Sequence, residues 1–134
     1  MSRVYERFGT RITAQASALC DVDANDGFST GTLTQVDKAS SGNGDGAQWF
    51  DVYVDVTSAP SAAATCELWT SGSSDGTDES DYEYALSVAI PAAADQYHLG
   101  ALYSTPREFN AKIKGLDYDF TATLYIVPVY YADA

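Results

Sequence analysis

Residues 49–56 read WFDVYVDV, and this stretch decides the fold class. Every second residue is a medium or large apolar one, and the residues between them are aspartates or amphipathic aromatics. Successive side chains of a β-strand point to opposite faces, so the alternation predicts a strand with one buried face and one wet face. The predicted buried face consists of Phe50, Val52, Val54 and Val56.

The same period of two recurs along the chain, between clusters of Gly, Ser, Asp and Pro that indicate turns. Clear examples are residues 84–90, 108–116 and 121–131, with weaker ones at 14–20, 29–36, 64–70 and 97–103. About eight short antiparallel strands are therefore predicted, as in an all-β sandwich, jelly roll or barrel. Pro128 cannot donate a ladder hydrogen bond, so the last strand is predicted to end there or to run along an edge.

The chain of 134 residues is predicted to hold an N-terminal arm at 1–12 and a single β domain at 13–134. Arg3, Arg7 and Arg11 give the arm three of the seven basic residues of the chain, opposed there only by Glu6. Two interpretations stay open. The arm is either a tether for an acidic partner or an ordinary frayed terminus.

The charge balance excludes some classes of partner. Seven basic against 19 acidic residues give a net charge of −12. Such a surface repels phosphate backbones and anionic lipids, so we expect neither nucleic acid nor membrane as a partner. No apolar run resembles a secretion signal or a membrane span, which predicts a protein made, or assembled, in the cytoplasm.

Residues 21–32, DVDANDGFSTGT, contain the only candidate metal loop. An EF-hand needs glycine at its sixth position and a bidentate glutamate at its twelfth, where this stretch has Asp26 and Thr32. A turn centred on Asn-Asp-Gly is the favoured interpretation, because these residues tolerate left-handed backbone angles. A looser calcium site remains a weak alternative, with the ligands Asp21, Asp23, Asn25 and Asp26.

No pattern predicts catalysis. The one histidine, His98, lies in a strand-like stretch, and neither a nucleophile elbow nor a phosphate-binding loop is present. Cys20 and Cys66 have no metal-ligand spacing and are predicted to be buried free thiols. We therefore expect a protein that is not an enzyme and that needs no cofactor.

Four segments together resemble a known family. They are CELWTSGSSDG at 66–76, the stretch 91–94, HLGALYSTPREFNAKIKGL at 98–116 and TATLYIVP at 121–128. Their order and texture resemble the capsid cement, or decoration, proteins of tailed bacteriophages, over roughly residues 47–128. The resemblance implies a jelly-roll-like β-sandwich that trimerises on the outer surface of the virion and clamps neighbouring major capsid subunits after the head expands.

The resemblance also assigns expected roles to residues. The partners would be the phage major capsid protein and two further copies of this chain, assembled in the host cytoplasm. Arg3, Arg7 and Arg11 would bind an acidic capsid surface. Large aromatic side chains are common interface anchors, and the candidates are Trp49, Trp69, Tyr125, Tyr130 and Tyr131.

A second function remains open from the sequence. Carbohydrate-binding, lectin-like β-sandwich modules of phage tails or fibres also carry exposed tyrosine and tryptophan, and some hold calcium in loops such as 21–27. Calcium-dependent melting together with sugar binding would favour the lectin-like module, and concentration-dependent trimerisation would favour the cement protein.

Overall fold

A computed structural model describes residues 4–72 and 76–133, which form two antiparallel sheets packed face to face. Two single-turn 3₁₀ segments occur at Asn25–Gly27 and Glu79–Asp81. Within the described ranges no helix has the length and apolar character that crossing a membrane requires. The strands are β1 Val4–Phe8, β2 Ile12–Cys20, β3 Thr32–Leu33, β4 Val36–Asp37, β5 Trp49–Ser58, β6 Ala64–Ser71, β7 Glu83–Ile90, β8 Gln96–Leu102, β9 Glu108–Leu116 and β10 Phe120–Asp133.

The strand order is that of a jelly roll. One sheet has the order β3-β2-β10-β5-β8, with β1 also paired to β10, and the other has the order β4-β9-β6-β7. Strands β1 and β2 pair with successive parts of β10, so they act as one interrupted strand. Strands β3 and β4 are two halves of a strand that passes from one sheet to the other. The ten segments thus make eight strand units in two sheets, and the predicted all-β, jelly-roll-like sandwich is confirmed.

The core lies where the predicted apolar faces of the two sheets meet. The four alternating residues of β5, from Phe50 to Val56, are at most 2% exposed. They meet Leu68, Phe109 and Ile113 of the other sheet, all fully buried. The Phe50 and Phe109 rings pack edge to face across the sandwich, with centroids 5.5 Å apart. The period-two prediction therefore identified the buried side of the strand correctly.

The start of the chain differs from the predicted arm. Residues 4–8 form β1, in register with β10 from Val4 opposite Asp133 to Phe8 opposite Val129. Strand β2 already begins at Ile12, so most of the described part of segment 1–12 belongs to the sheet. The sequence VYERF does not predict a strand, because the charged residues Glu6 and Arg7 interrupt its apolar residues. The strand forms because it pairs with residues 129–133 of β10, at the other end of the chain.

Pro128 neither ends the last strand nor lies on an edge, so that prediction was wrong. It lies inside β10, opposite Phe50 of β5. Its carbonyl oxygen accepts a hydrogen bond from the Gly9 backbone N–H at 2.8 Å. In an antiparallel strand the N and C=O of one residue face the same neighbour, so the missing N–H faces the break between β1 and β2. No ladder partner is lost there, and the proline is tolerated.

Two loops cover part of the outer face of the four-stranded sheet, over β9. Phe28 and Tyr82, from the loops around residues 25–29 and 76–82, are 6% and 4% exposed. Beneath them Lys112 of β9 is 7% exposed, with its Nζ 3.0 Å from a carboxylate oxygen of Glu79 and 5.1 Å from the centre of the Tyr82 ring. Glu79 thus has a basic partner in the fold, although no lysine or arginine lies near it in the sequence.

The Lys112–Glu79 pair makes a pH-dependent contribution to stability. The hydrogen bond from Lys112 lowers the pKa of Glu79 below its ordinary 4.5. A carboxyl group with a lowered folded-state pKa stabilises the fold fully above its ordinary pKa, and the contribution is lost as the pH falls through the folded-state pKa. Since the Glu79 side chain is 42% exposed, we expect Glu79→Gln to lower the free energy of unfolding by only about 1 kcal/mol at pH 7.

Urea unfolding at several pH values checks this prediction. The difference in stability between the natural chain and Glu79→Gln should shrink as the pH falls below 4.5. Glu83→Gln, which changes an exposed carboxylate of β7, serves as the control. It should have little effect on the free energy of unfolding at pH 7 or at pH 3. An equal difference at pH 7 and at pH 3 would show that Glu79 stabilises the fold by packing and not by its charge.

Candidate functional site

The outer face of the four-stranded sheet is covered along β9 by the chain itself. On the four-stranded sheet, Asn110 and Lys112 of β9 are only 3% and 7% exposed, although they point away from the core. On the six-stranded sheet, the outward side chains in the middle of β5 and β10 are all partly exposed. We call this second surface the open face. It is where a partner can reach the sheet directly.

The centre of the open face is an aromatic stack capped by a cation. Tyr53 of β5 and Tyr125 of β10 are direct cross-strand neighbours, with ring centroids 5.1 Å apart and planes 30° from parallel. The Arg11 guanidinium lies 4.1 Å from the centre of the Tyr125 ring and donates a hydrogen bond to the Tyr53 hydroxyl at 3.2 Å. That hydrogen bond raises the pKa of Arg11, so the side chain stays a cation. Both rings thus have neighbours within the chain itself.

A shallow groove lies beside this stack, at the edge formed by β8. It has a volume of about 290 Å³ and is lined by Tyr53, Gln96, Tyr97 and His98. The His98 Nε2 lies 2.5 Å from a carboxylate oxygen of Asp51, so the only histidine is a hydrogen-bonded strand residue. The groove offers an aromatic wall, an amide and an imidazole to a small polar ligand.

One end of the open face carries an exposed aromatic patch, defined as Phe8, Trp49, Tyr103 and Tyr131. Phe8 and Trp49 flank Val129 of β10 in the register, and the Trp49 and Tyr103 rings are 5.4 Å apart. Tyr131 follows two residues after Val129 and therefore shares its face. Phe8, Tyr103 and Tyr131 are 59%, 74% and 53% exposed. Phe8, Tyr103 and Tyr131 thus present large aromatic side chains to solvent, and Trp49 is half-buried beside Tyr103.

The Trp49 indole is also unsatisfied. Its Nε1 is buried and has no hydrogen-bond acceptor among the residues that the structure describes. Buried tryptophan N–H groups usually find a partner, and an orphaned donor costs on the order of 1–3 kcal/mol. The N–H itself is closed to the surface, although part of the indole ring remains accessible.

Of the three predicted capsid-binding arginines, the two that the structure describes lie in different places. Arg3 lies outside the described residues. Arg7 is exposed on β1 opposite Tyr130, and alternation places it on the other side of the strand from Phe8. Arg11, unlike Arg7, lies on the open face, where it covers Tyr125.

The five aromatic residues predicted to be anchors are divided among four environments. Trp49 and Tyr131 belong to the aromatic patch, and Tyr125 lies in the stack beside it. Trp69 is on the other sheet, where it packs edge to face on Phe28 at 5.3 Å. Tyr130 is half-buried, and a Cβ at Gly9 would lie 2.7 Å from its ring. Only Trp49, Tyr125 and Tyr131 thus lie on the open face.

Residues 21–27 form a turn, as their composition predicted. Asn25, Asp26 and Gly27 have positive φ angles of 51°, 54° and 85°. Asp21 accepts a hydrogen bond from the Asp23 backbone N–H. Asp23 also lines an acidic pocket with Asp117 and Asp119. Even so, within the described ranges no three His, Cys, Asp or Glu side chains are placed to hold a metal ion.

Sequence reasoning missed two members of the aromatic patch. Phe8 lies in a segment interpreted as an arm, and Tyr103 lies in a connection beyond the end of β8. Phe8 has no local signal, because it joins the patch through the pairing of β1 with β10. Tyr103 has one, because it continues the alternation of the strand-like stretch 97–103 by one residue past Leu102.

Comparisons of the chain with protein-family models, with curated proteins and with solved structures found no match.

Proposed function

We propose that this chain is a capsid decoration protein. In this role it binds the outer surface of a phage head as a trimer and stabilises contacts between major capsid subunits. It carries out no chemistry and needs no cofactor. A jelly roll by itself does not decide the function, since the same fold serves viral coat proteins and lectins.

The observation that carries the proposal is the aromatic patch at the end of the open face. Protein–protein interfaces concentrate their binding energy in a few buried aromatic anchors, and exposed apolar patches mark such sites. Tyr103 and Tyr131 are more than half exposed and would lose most of that exposure against a shell.

The acidic body suits an outward-facing position. A net charge of −12 discourages binding to nucleic acid and to other similarly charged particles. Attachment then depends on a local apolar surface and not on the overall charge. For this reason we expect the binding of the domain to shells to be only weakly sensitive to salt.

Co-sedimentation with expanded, empty heads tests the proposal, using heads assembled from the major capsid protein encoded nearest to this gene. The natural chain should bind saturably at a fixed stoichiometry and should not bind unexpanded shells. Tyr103→Ala should weaken binding about 30-fold, the effect of losing a hot spot worth about 2 kcal/mol. Tyr118→Ala changes another exposed tyrosine, 43% exposed in a loop before β10, and should bind like the natural chain.

These measurements test the decoration role and the binding surface separately. Absence of binding to expanded heads at micromolar protein would contradict the decoration role. If neither Tyr103→Ala nor Tyr131→Ala weakens binding, the decoration role would stand, but the aromatic patch would not be the surface that binds the shell. Deleting residues 1–11 is a poor test of the arginines, because it also removes β1 from the sheet. Arg7→Gln and Arg11→Gln are cleaner variants.

A lectin-like module is the second candidate, and the groove beside Tyr53 favours it. The aromatic wall, Gln96 and the His98–Asp51 pair offer the stacking surface and hydrogen-bonding groups that neutral sugars use. Against it, the face of Tyr53 is already stacked on Tyr125. A glycan panel read together with Gln96→Ala decides the matter: sugar binding that this variant abolishes would support the module.

A further inference from the structure

The two cysteines of the chain come from opposite sheets and are buried in the same core. Cys20 is the last residue of β2, in the six-stranded sheet, and Cys66 lies in β6 of the other sheet. Both side chains are 0% exposed and both thiols are free. Neither has a role in the open face or in the aromatic patch.

Gly115 of β9 brings the two cysteines close together. It is the direct cross-strand neighbour of Cys66, and such neighbours are about 4.5–5.5 Å apart at their Cα atoms. A Cβ atom built on Gly115 would lie only 2.8 Å from the Cβ of Cys20. Cys20 therefore occupies the space that a side chain at position 115 would take, directly beside the inward-pointing Cys66.

A covalent link between the two sheets needs a closer approach of the strands than is usual. Disulfides join cysteines whose Cα atoms are about 4.4–6.8 Å apart, whereas facing sheets in a sandwich are about 10 Å apart. The missing side chain at Gly115 lets β2 approach the other sheet more closely here than is usual. We propose that Cys20 and Cys66 form an oxidisable pair, which a small-molecule disulfide can convert into a disulfide between the two sheets.

The reaction is an exchange with a low-molecular-weight disulfide such as oxidised glutathione. The thiolate of one cysteine attacks the glutathione disulfide and releases one glutathione thiolate. The second cysteine then attacks the mixed disulfide, releases the second glutathione and closes the Cys20–Cys66 bond. Two protein thiols are oxidised, one glutathione disulfide is reduced to two thiols, and the two protons leave to solvent or to glutathione.

The folded protein resists this reaction. Burial, and then the nearby Asp119 carboxylate, raise the pKa of Cys20 to about 12, although a backbone hydrogen bond from Gly115 lowers it somewhat. Burial, and then the neighbouring Cys20, raise the pKa of Cys66 as well. Since only the thiolate attacks, oxidation should proceed during folding or through transient opening, and hardly at all in the closed sandwich.

Refolding in a glutathione redox buffer tests the proposal. The full chain is unfolded, then refolded either with both forms of glutathione or with reductant alone, and its free thiols are alkylated after denaturation. The oxidised sample should lose both alkylation sites and about 2 Da, the mass of two hydrogens. Its melting temperature should rise by about 10 °C, because the bond restricts a long loop in the unfolded chain.

Cys20→Ala and Cys66→Ala are the controls, and neither should gain melting temperature in the redox buffer. If a variant folds poorly, the natural chain refolded with glutathione can still be compared with the natural chain refolded with reductant alone. Two alkylatable thiols after equilibration would overturn the proposal. So would glutathione mixed disulfides or cross-linked dimers as the only products, or an internal disulfide that leaves the melting temperature unchanged or lower.

Discussion

Phe50→Ala should lower the free energy of unfolding by about 3–5 kcal/mol, the usual cost of removing a fully buried phenylalanine ring. The ring is 1% exposed and packs on Phe109 across the sandwich, so its loss leaves a cavity between the two sheets. Folded domains of this kind are stable by about 5–15 kcal/mol in total. The variant should therefore lie near the limit of folding at 37 °C. Urea unfolding followed by tryptophan fluorescence measures the change.

Tyr53→Ala is the matched control for Phe50→Ala. It removes a ring of similar size from the same strand, three residues away and on the opposite face. We expect it to cost about 1 kcal/mol, since it loses a stacked pair on the open face and creates no cavity. Equal losses for the two variants would mean that the alternation of β5 does not separate a core face from a solvent face.

Gly27→Ala should cost about 3 kcal/mol, for two separate reasons. Gly27 has a φ of 85°, where a side chain is strained by about 1 kcal/mol or more. A Cβ there would also lie 2.5 Å from the Gly115 carbonyl oxygen, and relieving that contact displaces the backbone. The turn at 25–27 is thus held against β9 by the absence of a side chain. Chemical denaturation of the variant gives the value.

Gly46→Ala separates the two contributions. Gly46 has a similar φ of 74°, but the nearest atom to its Cβ would be 3.9 Å away, on the Tyr130 ring. The variant Gly46→Ala should therefore have the backbone strain but no steric clash, and it should lower the free energy of unfolding by about 1 kcal/mol. If Gly27→Ala lowered the free energy of unfolding by no more than Gly46→Ala does, the close approach of Gly27 to β9 would not contribute to the cost of the substitution.

The sequence predicted those parts of the fold in which the local pattern and the tertiary environment agree. Phe50, Val52 and Val54 are apolar, alternate and are buried. Leu124 and Ile126 of β10 follow the same rule. A strand with one side in the core and one side near solvent is encoded residue by residue, so its buried face can be identified without knowing its neighbours.

Other features depend on contacts that no local pattern encodes. Strand β1 exists because the end of the chain offers β10 as a partner, and Pro128 is tolerated because it lies at the break between β1 and β2. Lys112 is buried because Tyr82 and Glu79 fold over it from a distant loop. Local hydrophobicity alone predicts a lysine at the surface and a proline at the end of a strand.

The candidate site shows the same division. Trp49 and Tyr131 could be selected from the sequence as large aromatic side chains near strand ends. Their grouping with Phe8 and Tyr103 depends on the register of three strands, in which Phe8, Val129 and Trp49 are neighbours. The type of residue was predictable, and the surface that the residues form together was not.

The interrupted pairing along β10 makes the resistance of this domain to mechanical force depend on direction. Residues 4 and 133 are opposite each other in the register, so tension between them would peel β1 away one hydrogen bond at a time, as far as the break at Gly9 and Pro128. Tension between residues 20 and 133 would instead load the β1–β10 and β2–β10 ladders along their length, so that many bonds must fail together. A pull of the first kind should open the sheet at low force, whereas a pull of the second kind should meet the full strength of the central strand.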